Sequence, residues 1–233
     1  MPIEIVNPSN DPNVKANDPD GNPRYTGSNP NNYVNFNGKL FRIIGIFNGQ
    51  MKIIQNDNYG NKAWDSNKKN VWSSATLNST LNNTYWNTIS STYQAMVDQN
   101  YSWKIGGRPW YSSGYTVMDF YNAENEKKWT GKIALMSVAD YGYASTSCAI
   151  STDMSTLATC GEDNWMAFNS INQWTVNLAP HVSTHVWLIY PTGLASQWAT
   201  DLAHEVHPVL YLKSTVKITS GTGTSTDPYQ LSL

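Results

Sequence analysis

Two Asn-Gly pairs constrain this chain more than any other feature. From Tyr33 it reads YVNF, Asn37-Gly38, KLFRIIGIF to Phe47, Asn48-Gly49, then MKII to Ile54. Asn-Gly between apolar runs supplies the positive φ angles of a two-residue hairpin loop. Two such loops in succession predict a three-stranded antiparallel meander.

The period then changes. Leu77, Leu81, Tyr85 and Ile89 recur every fourth residue, one face of a helix over 74–89 that Ser73 or Ser74 would cap. A second short helix is expected over 91–100, with Tyr93, Met96 and Val97 inward, and a helical turn over 117–124. KIALMSV (132–138) reads as a strand, and Asp140 in the adjoining DYGYAS stands in a good capping position. QWTV, HVWLIY and HPVLYLK read as strands between irregular loops, with Pro208 favouring an edge or a strand start. The tail from Val216 to Ser232 reads as a strand, a Gly-rich turn and an extended piece. No internal repeat is visible. The expected class is α+β, two helices packed on a mainly antiparallel sheet with long irregular loops.

Residues 1–32 carry Pro2, Pro8, Pro12, Pro19, Pro23 and Pro30 among Asn and Asp. Proline fixes φ and removes a donor. This predicts an extended N-terminal arm without regular structure, linking to a neighbouring module or wrapping a domain that spans 33–233. The opening Met1-Pro2 and its polar continuation lack a secretory signal and read as a processed product.

Charged residues make up 14% of the chain and the net charge is −2, which excludes the basic footprint of a nucleic-acid binder. No apolar run reaches the roughly 18 residues of a membrane span. Cys148 and Cys160 flank one polar loop, CAISTDMSTLATC, and read as either a disulfide or two unpaired thiols.

Chemistry-bearing motifs are scarce. His181 and His185 are four apart but lack an acidic third ligand. His204-Glu205-Val206-His207 is one residue short of the zinc-protease motif and leads into a strand. Gly161–Trp165 (GEDNW) offers calcium-type oxygens but reads as a turn. Glu124 and Glu126 read as a solvated helix end. There is no nucleophile elbow and no phosphate loop. The expectation is no catalytic residue, no metal and no cofactor.

The last third sets a rigid frame around aperiodic segments. Trp165, Trp174, Trp187, Trp198 and VHPVLYLKS (206–214) form the frame. Between them lie Asn177–His185, Leu188–Thr192 and Ala199–His204, which follow neither helix nor strand period. Trp72, Trp86, Trp103, Trp129, Trp174 and Trp187 read as core, while Trp198 and Tyr190 read as candidates for binding.

NNYVNFNGKLFRIIGIF, WTGKIALMSVADYGYAS and VHPVLYLKSTVKITSGTGTSTDPYQL together resemble prokaryotic and viral surface-type domains with a C-type lectin fold, in its formylglycine-generating-enzyme branch. The resemblance spans 33–233. His207 departs from it, since these relatives commonly carry Arg there. The paired active-site cysteines of formylglycine-generating enzymes have no counterpart, and neither does the Glu-Pro-Asn type calcium triplet of sugar-binding lectins.

Within that fold, the chain resembles the variable proteins of diversity-generating retroelements, whose mutable codons become NNY. Every residue of His181–His185, Leu188–Thr192 and Ala199–His204 is NNY-encodable, whereas Trp187, Gln197 and Trp198 are not encodable that way. The resemblance implies a monomeric adhesin- or receptor-type domain at a cell surface, outside the cell or on a virion. A protein or cell-surface ligand would meet Asn177, Ala179, His181, Ser183, His185, Leu188, Tyr190, Thr192, Thr200, Asp201 and His204. A structural surface or virion subunit and an enzyme with an unrecognised site are the alternatives.

Overall fold

The meander is the hub of the larger sheet. The structure is a computed structural model and describes residues 5–109, 114–154, 158–168 and 172–233. Strands β1 (Val14–Lys15), β2 (Arg24–Tyr25), β3 (Tyr33–Phe36), β4 (Lys39–Phe47) and β5 (Gln50–Gln55) come first in the chain. β3 pairs with β4 and β4 with β5, all antiparallel. At the first turn Asn37 and Gly38 have φ of 56° and 72°, and at the second Asn48 and Gly49 have 51° and 78°. Left-handed backbone at both central residues is what a tight hairpin of this hand requires.

The segment before Tyr33 is woven into this sheet, which corrects the expectation of an arm without regular structure. β1 pairs with β2, and Arg24 of β2 pairs with Gly45 of β4. Gly45 makes the approach possible, since a Cβ there would lie 2.4 Å from the Pro23 carbonyl oxygen. Val6, Val14 and Tyr25 are buried.

A charged cluster pins the same segment. Arg24 holds Asp18 at 2.8 Å and Asp140 at 2.9 Å, and Lys52 reaches the other Asp140 oxygen at 2.5 Å. These residues, Asp18 included, are all buried. Burial alone would lower the Arg24 pKa, but Asp140 and Asp18 outweigh it and raise it. The proline-rich stretch is ordered from without, by an ion pair and a sheet partner far along the chain.

The described residues hold four short helices. They are α1 (Thr76–Ser79), α2 (Ser91–Met96), α3 (Val117–Glu124) and α4 (Val138–Ala144). α1 runs on as a wider turn over Thr80–Tyr85, and Leu77, Leu81, Tyr85 and Ile89 are buried as the spacing predicts. Neither Ser73 nor Ser74 caps it; Asp65 Oδ1 accepts the Thr76 N–H at 3.1 Å instead. The strand expected over 132–138 shrinks to β9 (Ile133–Ala134). Ser137 and Asp140 form a reciprocal capping box that turns the chain into α4.

Glu124 corrects the reading of a solvated helix end. It is 7% exposed, and its Oε1 accepts the Ala139 N–H at 3.3 Å, because the end of α3 packs against the start of α4.

β6 (Asn61–Ala63), β7 (Tyr101–Lys104), β8 (Lys128–Gly131), β10 (Gln173–Leu178), β11 (His185–Ile189), β12 (Ala195–Ala199), β13 (Ala203–Glu205), β14 (Val209–Tyr211), β15 (Lys217–Ser220) and β16 (Gln230–Ser232) complete the strands. The large sheet runs β1-β2-β4-β5-β14-β9, with β3 also on β4. β14 lies inside this sheet, with Pro208 just ahead of it. The second sheet runs β12-β11-β10-β13-β6 and is antiparallel except between β10 and β13. The architecture is therefore mixed α+β, mostly sheet.

Two edges of the large sheet are occupied. The C-terminal tail lies along β3, with Tyr229 N–H donating to the Tyr33 carbonyl at 2.9 Å and Asn35 N–H to that of Tyr229 at 2.9 Å. At the far edge the Asn82 side chain takes both the N–H (3.0 Å) and the carbonyl (2.9 Å) of Ile133 in β9.

Trp72, Trp86, Trp103, Trp174 and Trp187 are buried, whereas Trp129 is only half-buried. Trp64, to which the sequence gives no special mark, is fully buried, and its indole donates to the Thr175 carbonyl at 3.1 Å. Cys148 and Cys160 are joined in a disulfide.

Candidate functional site

The β11–β12 hairpin sorts the expected surface residues. His185 pairs with Ala199 at one end and Ile189 with Ala195 at the other. Turn 179–185 and the chain after Ala199 therefore share one end of the sheet, and the 190–194 turn lies at the opposite end.

Four of the expected residues are not surface at all. Asn177, Ala179, Leu188 and Thr200 are each 0% exposed. Asn177 is a core bracket, accepting from Val138 N–H at 2.7 Å and donating to the Gly106 carbonyl at 2.7 Å. Leu188 lies in a strand flanked on both sides and is paired with Trp174. Thr200 is tied by its backbone to Thr184 and Asp65. Small and apolar residues are NNY-encodable whether buried or not, so that criterion could not separate them.

The others divide into an apex, a face and an outlier. His181 and Ser183 are exposed in the apical turn, with His185 and Asp201 half-buried beside it. Tyr190 and His204 line the sheet face below. Trp198 Nε1 donates to the Tyr190 hydroxyl at 2.6 Å, and the His204 ring sits edge-on to Trp174 and Trp198 at 4.6 and 5.6 Å. Burial lowers the His204 pKa, which favours the neutral ring. Thr192 is exposed in the opposite turn, two residues past Tyr190 and away from the apex.

A loop that sequence reasoning missed completes the apex. Asn70 Nδ2 reaches the carbonyls of Ala179, Val182 and His185 at 2.8, 3.1 and 3.0 Å. Its N–H donates to the Ser183 carbonyl at 2.8 Å. Asp65 N–H donates to the Thr200 carbonyl at 2.9 Å, and Lys68 pairs with Asp201 at 2.8 Å. That last pair is solvent-exposed and contributes little stability, but it fixes which loops are neighbours. Replacing Asn70 by Ala is expected to lower stability by about 1–2 kcal/mol. It should also speed amide exchange in 181–185 while β4 and β5 stay protected, as hydrogen exchange by NMR would read.

Three loops thus meet, and each exposes an apolar side chain. Val71, Val182 and Leu202 are 40%, 36% and 39% exposed, three of the five large hydrophobics exposed among the described residues. Nothing in NKAWDSNKKNV singles out Val71 or Asn70, because their importance arises only when distant loops meet.

The metal candidates come apart. His204 faces Trp174 and Trp198, whereas His207 stacks on Phe168 at 4.3 Å. In GEDNW the Asn164 amide donates to the carbonyls of Tyr141 (2.9 Å) and Cys160 (2.7 Å), and Asp163 takes Ser28 N–H (2.9 Å) and the Thr146 hydroxyl. Among the described residues no group of three or more His, Cys, Asp and Glu is placed to hold a metal ion. No helix among them is long and apolar enough to cross a membrane. Compared with family models, with curated proteins and with solved structures, the chain matches none.

Proposed function

We propose that this chain is a non-enzymatic, adhesin- or receptor-type binding domain with a C-type-lectin-like fold, displayed at a cell or virion surface. It grips a protein ligand through the apex of the second sheet. The observation that carries this is that three loops tied together by Asn70 and Asp65 each expose an apolar side chain, Val71, Val182 and Leu202. Exposed apolar side chains ringed by polar ones are the anatomy of a protein-recognition patch. His181, Ser183, His185 and Asp201 form the polar ring, and Tyr190, Trp198 and His204 extend it down the sheet face.

The reading as a retroelement variable protein rests on the resemblance, and on exchangeable residues lying between Trp187 and Trp198. A frame buried this thoroughly tolerates side-chain exchange at the positions it displays.

Two measurements test the proposal. The neighbouring DNA should encode a reverse transcriptase beside a near-copy of the 3′ end that differs at adenines; its absence removes the retroelement class. The double variant Val182→Asp, Leu202→Asp should melt within about 2 °C of the parent, because both positions are surface. Beads coated with it should lose the adhesion to cells that parent-coated beads show. Equal adhesion by both would rule out the apex.

A further inference from the structure

The two Asn-Gly turns share a sequence but not a setting. At the β3–β4 turn the Asn37 side chain is held at both ends. Its Nδ2 donates to the Thr88 carbonyl at 3.1 Å, and its Oδ1 accepts the Ser90 N–H at 3.0 Å. Thr88 and Ser90 lie just ahead of α2, so Asn37 ties its turn to a neighbouring segment. At the β4–β5 turn the Asn48 side chain is exposed and makes no hydrogen bond to any described residue. Gln50, just past that turn, donates through Nε2 to Asp98 Oδ2 at 2.8 Å. That bond steadies the strand end and leaves the Asn48 amide free. Nothing stands within 4 Å of where a Cβ would sit on Gly38 or Gly49, so neither turn is obstructed by its surroundings. The side-chain anchors are what separates them.

An asparagine followed by glycine can react without an enzyme, because glycine has no side chain to shield its amide nitrogen or to restrict the backbone. The Gly49 N–H donates to no backbone carbonyl among the described residues.

We propose that Asn48 is a site of spontaneous deamidation and that Asn37 is protected from it. The Gly49 amide nitrogen attacks Asn48 Cγ. The new N–Cγ bond closes a cyclic succinimide and the Cγ–Nδ2 bond breaks, so Nδ2 leaves as ammonia with the proton that Gly49 gave up. Water then opens the ring. Opening at Cγ leaves aspartate, and opening at the backbone carbonyl leaves isoaspartate, with the main chain rerouted through the side chain. The net change is one water taken up and one ammonia lost. Either product adds a carboxylate at the cleft that Asn48 lines with Asp20, Lys52 and Lys104. Both turns must open before the nitrogen reaches Cγ. Asn37 must also give up two hydrogen bonds, each a modest net term, which slows it about thirtyfold relative to Asn48.

The test keeps the full chain folded in warm, mildly alkaline buffer and follows Asn37 and Asn48 by peptide mapping, with fragmentation that separates aspartate from isoaspartate. Asn48 should convert about thirtyfold faster than Asn37. In urea, with the anchors gone, the two should convert at similar rates. Ser90→Pro removes the N–H that Asn37 accepts, at a residue whose φ of −65° already suits proline. This variant, its fold checked by circular dichroism, should convert at Asn37 about fivefold faster than the parent and at Asn48 no faster. Asn48→Gln, whose longer side chain closes the ring poorly, should remove the acidic species that ion exchange separates from the fresh parent. Equal rates at Asn37 and Asn48 in the folded chain overturn the proposal. So does an unchanged Asn48 after a time in which the urea-unfolded chain has converted, or a folded Ser90→Pro variant in which Asn37 stays as slow as in the parent.

Discussion

Replacing Asp140 by Asn is expected to lower the unfolding free energy at pH 7 by about 3–5 kcal/mol, the cost of breaking a buried ion pair from one side. One Asp140 oxygen accepts from Arg24, and the other accepts from Lys52 and from the Ser137 N–H that opens α4. Asparagine keeps the shape and removes the charge. Arg24 then retains only Asp18, and Lys52 has no carboxylate at all among the described residues. The effect depends on pH with a definite sign. Burial pushes the Asp140 pKa up, but Lys52 and Arg24 outweigh it and hold it at about 2, against an ordinary 3.8. The stabilisation is therefore complete above pH 3.8 and is lost as pH falls from there through about 2. Urea unfolding of parent and variant across that range should show the gap at neutral pH and its closure in acid. An equal midpoint at pH 7 would contradict the assignment.

Glu124→Gln is expected to act in the opposite direction. Burial, helped by the nearby Asp140 charge, raises the Glu124 pKa to about 7 from an ordinary 4.5. The folded chain keeps this proton where the unfolded chain gives it up. Stability therefore declines as pH rises from 4.5 to about 7 and levels off beyond. One proton over that interval corresponds to a loss on the order of 3 kcal/mol. Glutamine mimics the protonated acid and still offers an oxygen to Ala139. The variant should match the parent near pH 4.5 and exceed it above pH 7 by most of that amount. A parent curve that stays flat from pH 4.5 to 8 would show that Glu124 titrates like an exposed acid. Together the two carboxyls favour the folded state most in mildly acidic solution.

Local chemistry made part of this molecule legible. Asn-Gly turns, the four-residue spacing from Leu77 to Ile89 and the run of buried tryptophans are short-range signals, and the structure agrees with them. What escaped depends on partners far away in sequence. Arg24 sits in a proline-rich stretch whose order comes from Gly45 and Asp140. Glu124 looks like surface until α4 packs over it. Asn177 and Thr200 are polar and small, hence easily taken for display positions, yet both are fully buried, and the Asn177 amide satisfies backbone groups in the interior. The candidate site fared likewise. His181 and Ser183 lie exposed in a segment whose lack of period marks it in the sequence, but Asn70 and Val71 belong to a loop more than a hundred residues earlier.

Two margins of the large sheet are guarded against added strands. A polymer built by inserting a strand from one copy beside the next needs an open row of backbone donors and acceptors. Along β3 that row is taken by the chain's own tail through Tyr229, and along β9 by the amide of Asn82. Strand addition at either of these two margins would first have to displace the tail or the Asn82 amide.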